Sequence, residues 1–541
     1  MMIFKEFEIE YSGGKVKASA SGSNKIIAWE SNSAPDRFVL NLTAEKEIEL
    51  LSVRAVFERR FSPEEVLFLN GYQSWTDSAE HNVNEKMHGI DKLPKFLVNR
   101  FAFNRYGDYD FASYSRRKGN IHGWTYGYIR KDDRFEFIGS LCEESGYTLI
   151  RFDCQNSVVV FEKDCANHCF MGDYKAFDVV FAEGGEDYVF DKYFESLRIP
   201  KPHTKRITGY TSWYNRYENI TEASVTEDLN GFVSEAHLPD VFQIDDGYES
   251  AVGDWLIVDS AKFPSGMKVI ADSIRERGMI PGIWLAPFAA ENDSRLVKEH
   301  PDWLLRDKNG APVTGGSNWS GFYGLDIYNP EFRDYLKKVF DTVLNEWGYK
   351  LVKLDFLYAA CVVPRRDKTR AQVMYDGMKF LRELCGEALI LGCGVPLAPA
   401  FGIVDYCRIG CDVSLSWDDV AYMRLMHRER VSTRNSLMNT VFRRQLDGRA
   451  FRNDPDVFLL RDDNIKLTQQ EKKVLATVNS LFGGVLFTSD NVGRYDDSKK
   501  QVYDHITQLD QHCVRKVENG EKAVVISYIS GGVERRISIK K

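Results

Sequence analysis

Several classes of chemistry are excluded by what this 541-residue chain has little of. Histidine is scarce, at ten residues, and none stands where an expected strand meets its loop. A hydrolytic metal centre normally draws on imidazole or on several converging carboxylates. No apolar run is long enough to cross a bilayer. The opening MMIFKEFEIEYSGG has no cationic segment followed by an apolar one, so no secretory signal is expected. Lys and Arg together (71) are outnumbered by Asp and Glu (79), for a net charge of −8. With no basic stripe, nucleic acid is excluded as a partner. There is no GxGxxG or other phosphate-cradling turn, and no repeat or low-complexity tract. The ten cysteines are scattered. Cys165 and Cys169 stand close together, but no second pair or histidine cluster completes a zinc site. Buried reduced thiols in a cytoplasmic protein are the expectation.

What is present is an ordinary globular composition, 43% hydrophobic and 28% charged, with an aromatic share of 13%. The length calls for two or three domains. Residues 1–200 read as short alternating strands, among them RFVLNLTA, IELLSVRAVFERRF, FEFIGSL, YTLIRFD and SVVVFEK. They have almost no sustained helical period, which predicts an antiparallel β-sandwich. SLRIPKPHTKRITGY, with two prolines and a basic cluster, reads as a linker.

From 201 to 490 the rhythm becomes strand, loop, helix. Strands are predicted at 207–213, 240–246, 279–288, 350–356, 388–394, 406–412, 456–461 and 483–490. Between them lie helical stretches such as SVTEDLNGFVSEA, MKVIADSIRERG and TRAQVMYDGMKFLRELCG. Eight such units predict an α/β fold with a central (β/α)₈ barrel. Residues 491–541 predict one helix and a small antiparallel β-domain.

A barrel of this kind keeps its chemistry at the C-terminal ends of its strands. The second predicted strand ends in Asp245 and Asp246, the third in Trp284, the fourth in Lys353 and Asp355. The fifth ends in Cys393 and Gly394, the sixth in Arg408 and Asp412. Residues two or four apart on a strand share a face, so Lys353 is expected beside Asp355 and Arg408 beside Asp412. Two carboxylates, each beside a cation, suit a retaining glycosidase with one ionised nucleophile and one proton donor. Lys353 is expected to favour the charged form of Asp355. The four aspartates could hold Mg²⁺, but the two cations among them would repel it. An ion pair that merely fixes a strand end accounts for either pair alone, and poorly for four such features at successive strands.

The strings VKLDFLYAA (352–360), CRIGCDVSLSW (407–417), FQIDDGYES (242–250) and IPGIWLAPF (280–288) closely resemble the α-galactosidases of glycoside hydrolase family 36, and more distantly those of family 27. The resemblance implies that Asp355 is the nucleophile and Asp412 the acid/base. It also implies that Asp245 and Asp246 hold the galactose 4- and 6-hydroxyls, and that Trp284, Lys353 and Arg408 make further sugar contacts. Trp213 in GYTSWY and Trp75 in NGYQSW match aromatic residues lining the pocket, with Trp75 supplied by the N-terminal domain. Cys393 in LGCG and Trp255 in GDW match as well. After the fourth strand, FLYAA departs from the family variant KWDMNR, on the leaving-group side.

The implied activity is a retaining, exo-acting α-galactosidase for oligosaccharides such as melibiose or raffinose. Alternatives are an α-N-acetylgalactosaminidase, decided by the loop after Cys393, and a catalytically silent galactose-binding protein on the same fold. Small carbohydrates are the expected partners, with neither nucleic acid nor membrane, and no metal or cofactor is expected. EDTA should therefore leave hydrolysis unchanged; a loss reversed by one added divalent ion would overturn that expectation.

Overall fold

In the computed structural model, which describes residues 2–90, 93–232, 238–365, 367–418 and 427–541, the N-terminal strands form a thirteen-stranded network in which every pairing is antiparallel. Its spine is two long strands, Arg37–Glu58 and His168–Gly184. The sequence suggests two strands at 37–44 and 48–61; the structure runs one. The irregularity falls on the partner, whose register shifts between Phe170 and Gly172 opposite Ile48 and Ala44. The ladder bends there without breaking.

Both faces of this network are apolar. Leu67, Leu69, Ile129, Ile138 and Val179 enter the core of the β-domain itself. Their immediate neighbours Phe68, Tyr128, Phe137 and Val180 belong to the core shared with the barrel. Alternation thus serves two cores at once. One helix, Glu186–Leu197, was not expected in this region. Its buried Val189, Phe190, Tyr193 and Phe194 follow a helical spacing within a string of β-favouring residues.

The barrel strands are shorter than their predicted spans: Ile207–Thr211, Val241–Ile244, Ile280–Leu285, Leu351–Leu354, Leu389–Gly392, Tyr406–Arg408, a split seventh, and Val485–Thr488. All pair in parallel. The seventh strand begins earlier than expected and is broken at Pro455 and Asp456. Its first half, Arg452–Asp454, pairs with the sixth strand, and its second half, Val457–Phe458, with the eighth. A proline lacks the amide a central strand needs, and Asp456 sits at a φ of 76°. The ring closes through this break.

Three helices start at capping boxes set by threonine: Thr221 before Glu222–Gly231, Thr369 before Arg370–Cys385, and Thr468 before Gln469–Phe482. The predicted helix SVTEDLNGFVSEA runs on into residues 233–236, which lie outside the described residues. At the C-terminal end, helix Asp497–Thr507 precedes the sheet His512–Asn519, Ala523–Ser530 and Val533–Lys540. All ten cysteines are free, seven of them buried. Among the described residues no helix is long and apolar enough to cross a membrane.

Arg443, just past helix Thr433–Phe442, joins the β-domain to the barrel. It is fully buried and donates to Asn70 Oδ1 (2.9 Å) and to the carbonyls of Ser74 (2.7 Å), Ile409 (2.8 Å), Gln73 (3.1 Å) and Gly71 (3.3 Å). Burial without a carboxylate in hydrogen-bonding contact lowers its pKa to about 10. Arg443→Ala strands these acceptors in the interior. It should cost roughly 3–5 kcal/mol in the first transition of a urea titration, and an unchanged midpoint would show that water replaces the guanidinium.

Candidate active site

A cavity of about 350 Å³ opens at the C-terminal ends of the barrel strands. Eight of the eleven residues singled out in the sequence line it: Trp75, Trp213, Asp245, Asp246, Trp284, Lys353, Asp355 and Asp412. Arg408, Cys393 and Trp255 are buried behind that lining. Trp255 packs edge-on against Trp284, with ring centroids 5.8 Å apart, so it supports the wall and does not form it.

Lys353 pairs differently from expectation. Its Nζ donates to Asp245 Oδ2 at 2.9 Å and lies 4.0 Å from Asp355 Oδ2. Asp355 is the first residue beyond the strand, and its oxygens instead accept from Trp284 Nε1 (3.2 Å) and from the Phe356 amide (2.8 Å). Burial therefore dominates and raises the Asp355 pKa, with Lys353 opposing and Asp412 reinforcing the rise. The expectation that Lys353 simply holds Asp355 ionised is thus corrected.

Asp245 is the better-served carboxylate. Burial works against its charge, but Lys353, the Asp246 amide and Gln243 overcome that and lower its pKa. Thr211 Oγ1 (3.0 Å) and Gln243 Nε2 (2.8 Å) also donate to it. Asp246 has no cation. It accepts from Trp319 Nε1 at 2.8 Å, and burial carries it up to about 7, with the charges of Asp245 and Glu218 adding to the rise. Adjacent identical residues are thereby split into an ionised group and one that titrates near neutrality.

The sixth strand stops at Arg408, so Asp412 stands on a loop and does not share a strand face with it. The guanidinium still reaches Asp412 Oδ1 at 2.7 Å, and also Asp454 at 3.2 Å and Asp456 at 2.9 Å. The NDPD string at the broken strand thus supplies two of the three partners of Arg408. Asp412 is the exposed member: 36% of its side chain is accessible, against 9% for Asp355.

Trp75 lies in the loop after strand Val66–Leu69, is 8% exposed and lines the cavity. Its Nε1 donates to Cys393 Sγ at 3.3 Å, and its ring meets Phe356 edge-on at 5.1 Å. Several lining residues escaped the sequence reading: Phe103, Tyr106, Ser317, Asn318, Trp319, Phe356, His427, Glu429 and Arg430. Most sit on loops far from any strand end. The one local signal was the glycine-rich, aromatic TGGSNWSG at 314–321.

The split between the two aspartates has a measurable cost. Asp246 takes up its proton near pH 7 when folded and near pH 4 when unfolded. The folded chain binds more protons between those values, so this stabilisation is complete below about pH 4 and lost above about pH 7. Asp246→Asn should raise Tm by a few degrees at pH 8 and leave it unchanged at pH 4 in calorimetry. An equal difference at both would mean that Asp246 is ionised throughout.

Comparison with known proteins agrees with this geometry. Residues 218–376 match the melibiase family model. The chain superposes on the α-galactosidase of Thermus thermophilus, solved with p-nitrophenyl α-D-galactopyranoside, with a TM-score of 0.75 and 27% identity over 98% of both chains. The family 36 α-galactosidase AgaA of Geobacillus stearothermophilus shares the fold at a TM-score of 0.61, with 12% identity over 96% of this chain and 80% of that one. An Escherichia coli α-galactosidase is 35% identical over 121 residues, 21% of this chain. The matched stretches span only 16% of the Escherichia coli enzyme and 28% of a Pediococcus pentosaceus one. With the barrel, the strand-end aspartates and these matches together, the chain belongs to glycoside hydrolase family 36.

Proposed function

We propose that the protein is a retaining, exo-acting α-galactosidase that releases terminal α-linked galactose from small oligosaccharides. The observation that carries this is one cavity holding a deeply buried carboxylate, Asp355, and a more exposed one, Asp412, each at a strand end and each near a buried cation. Asp355 attacks the anomeric carbon. Trp284 Nε1–H and the Phe356 amide leave its carboxylate little freedom to rotate, which favours a near-attack geometry. Asp412 protonates the departing oxygen. Ester formation removes the charge of Asp355 and so eases loss of the Asp412 proton. Asp412 is open to water, and in the second half of the cycle it takes a proton from the water that cleaves the ester. Asp245, ionised and held by Lys353, accepts from sugar hydroxyls at the floor.

The relatives are named for α-galactosides, and stachyose and p-nitrophenyl α-D-galactopyranoside occupy structures of the Thermus enzyme. One matched relative acts on α-D-galactosamine. Against that reading here, Trp75 seals the wall at Cys393 and Gly394: a Cβ at Gly394 would meet the Trp75 ring at 2.9 Å and the Phe356 amide nitrogen at 2.9 Å. An unsubstituted 2-hydroxyl suits this tight wall better than an N-acetyl group.

A panel of p-nitrophenyl α- and β-glycosides of galactose, N-acetylgalactosamine and glucose tests the assignment, with hydrolysis of the α-galactoside alone expected. Proton NMR should show α-galactose released first; initial β-galactose would sink double displacement. Asp355→Ala should abolish turnover on every substrate. Asp412→Ala should spare activated aryl galactosides in the first step and be accelerated by azide. If both variants respond alike to leaving-group pKa, the two roles are wrongly assigned.

A further inference from the structure

The outer wall of the cavity is built from parts of the chain that the catalytic aspartates do not use. The N-terminal domain supplies Phe103 and Tyr106, the barrel loop around 317–319 supplies Ser317 and Asn318, and the segment after Asp412 supplies His427. These parts are locked to one another. Tyr106 Oη donates to Asn318 Oδ1 at 2.6 Å and accepts from the Ser317 amide at 2.7 Å. Tyr109 Oη and Thr76 Oγ1 each donate to Glu429 at 2.7 Å, fixing the His427 segment from the N-terminal side. At the other end of that segment the Ser432 amide donates to the Asp412 carbonyl at 2.9 Å. This wall therefore stands beside the carboxyl that would protonate a leaving group.

His427 is the polar group in this wall whose hydrogen bonding is incomplete. It is 6% exposed and lines the cavity. The Phe103 ring lies 5.6 Å away edge-on, with Tyr106 at 5.8 Å and Tyr109 at 6.1 Å. Its Nδ1 accepts from the Glu429 amide at 3.2 Å, which places the ring proton on Nε2. No described residue accepts from Nε2. Burial, aided by Arg430, lowers its pKa to about 4, so the ring is neutral at working pH with a single N–H to offer. A buried donor without a partner costs free energy unless a ligand or water supplies the acceptor. Aromatic surface around one fixed donor matches a pyranose ring, which has apolar C–H faces and hydroxyls at its edge.

We propose that Phe103, Tyr106 and His427 form a leaving-group subsite for a second pyranose ring, one of whose hydroxyls accepts from His427 Nε2–H. The proposal rests on the galactosidase reading and names the substrates it favours: galactosyl sugars over galactosides of small alcohols. The departure FLYAA after the fourth strand removes the family's variant motif from this side, and the wall contributed by the N-terminal domain stands in its place.

The test compares kcat/KM for melibiose and for methyl α-D-galactopyranoside. His427→Phe keeps the aromatic bulk and deletes the donor. It should lower the value for melibiose about tenfold more than for the methyl galactoside, as expected for one buried hydrogen bond. His427→Gln, whose amide can offer a donor near the place of Nε2, should recover most of that selectivity. Phe103→Ala, at a half-buried rim position, should cost melibiose about three- to tenfold more than the methyl galactoside. Equal losses on both substrates, or a Gln variant no better than the Phe variant, would overturn the subsite alone. A wild-type enzyme inert on both substrates would overturn the galactosidase reading and the subsite with it.

Discussion

Lys353 and Arg408 are buried cations, and five carboxylates, those of Asp245, Asp355, Asp412, Asp454 and Asp456, lie within 4.0 Å of them. That imbalance governs the site. Taking a charge out of water is costly unless a counter-charge meets it, and two cations cannot fully serve five anions. Asp245 gains most from Lys353 and its pKa falls, while burial wins at Asp355 and Asp456 and raises theirs. Carboxyl groups of one intrinsic strength are thereby spread across a range of proton affinities. Acid–base chemistry near neutral pH depends on such a spread.

Those cations are held in turn by the way the barrel ends. Arg408 reaches Asp454 and Asp456 because the seventh strand breaks at Pro455 and turns its aspartates inward beside the sixth. The N-terminal sheet completes the enclosure. It has a second apolar face for the barrel, and Arg443 ties its 70–74 loop to the sixth strand, so Trp75 is set against Cys393 with little room to move. Excluding water above Asp355 strengthens every charge interaction beneath. The β-domain is on this account part of the site's dielectric as well as its wall.

The barrel was legible because parallel strands buried on both faces read as apolar runs, and because polar residues at their C-terminal ends stand out against those runs. Asp245, Asp246, Asp355 and Asp412 were visible for that reason. Helix Glu186–Leu197 was not, since aromatic and β-branched residues mask a helical period. Strand ends were overextended at most positions, because the last apolar residue of a string need not be the last to pair. The loops carrying Phe103, Trp319 and His427 were illegible: they lie far apart in the chain and have no periodicity.

Sequence by itself determined which residues could be charged, which strings would be buried, and that four aspartates would gather at one end of a barrel. These follow from local pattern and composition. Only the tertiary structure decided that Lys353 serves Asp245 more closely than Asp355, that Arg408 is shared among three carboxylates, and that Asp246 titrates near neutrality while its neighbour does not. Those outcomes depend on distances between strands and on depth below the surface. Coulomb energy and desolvation vary steeply with both, and spacing along a chain encodes neither.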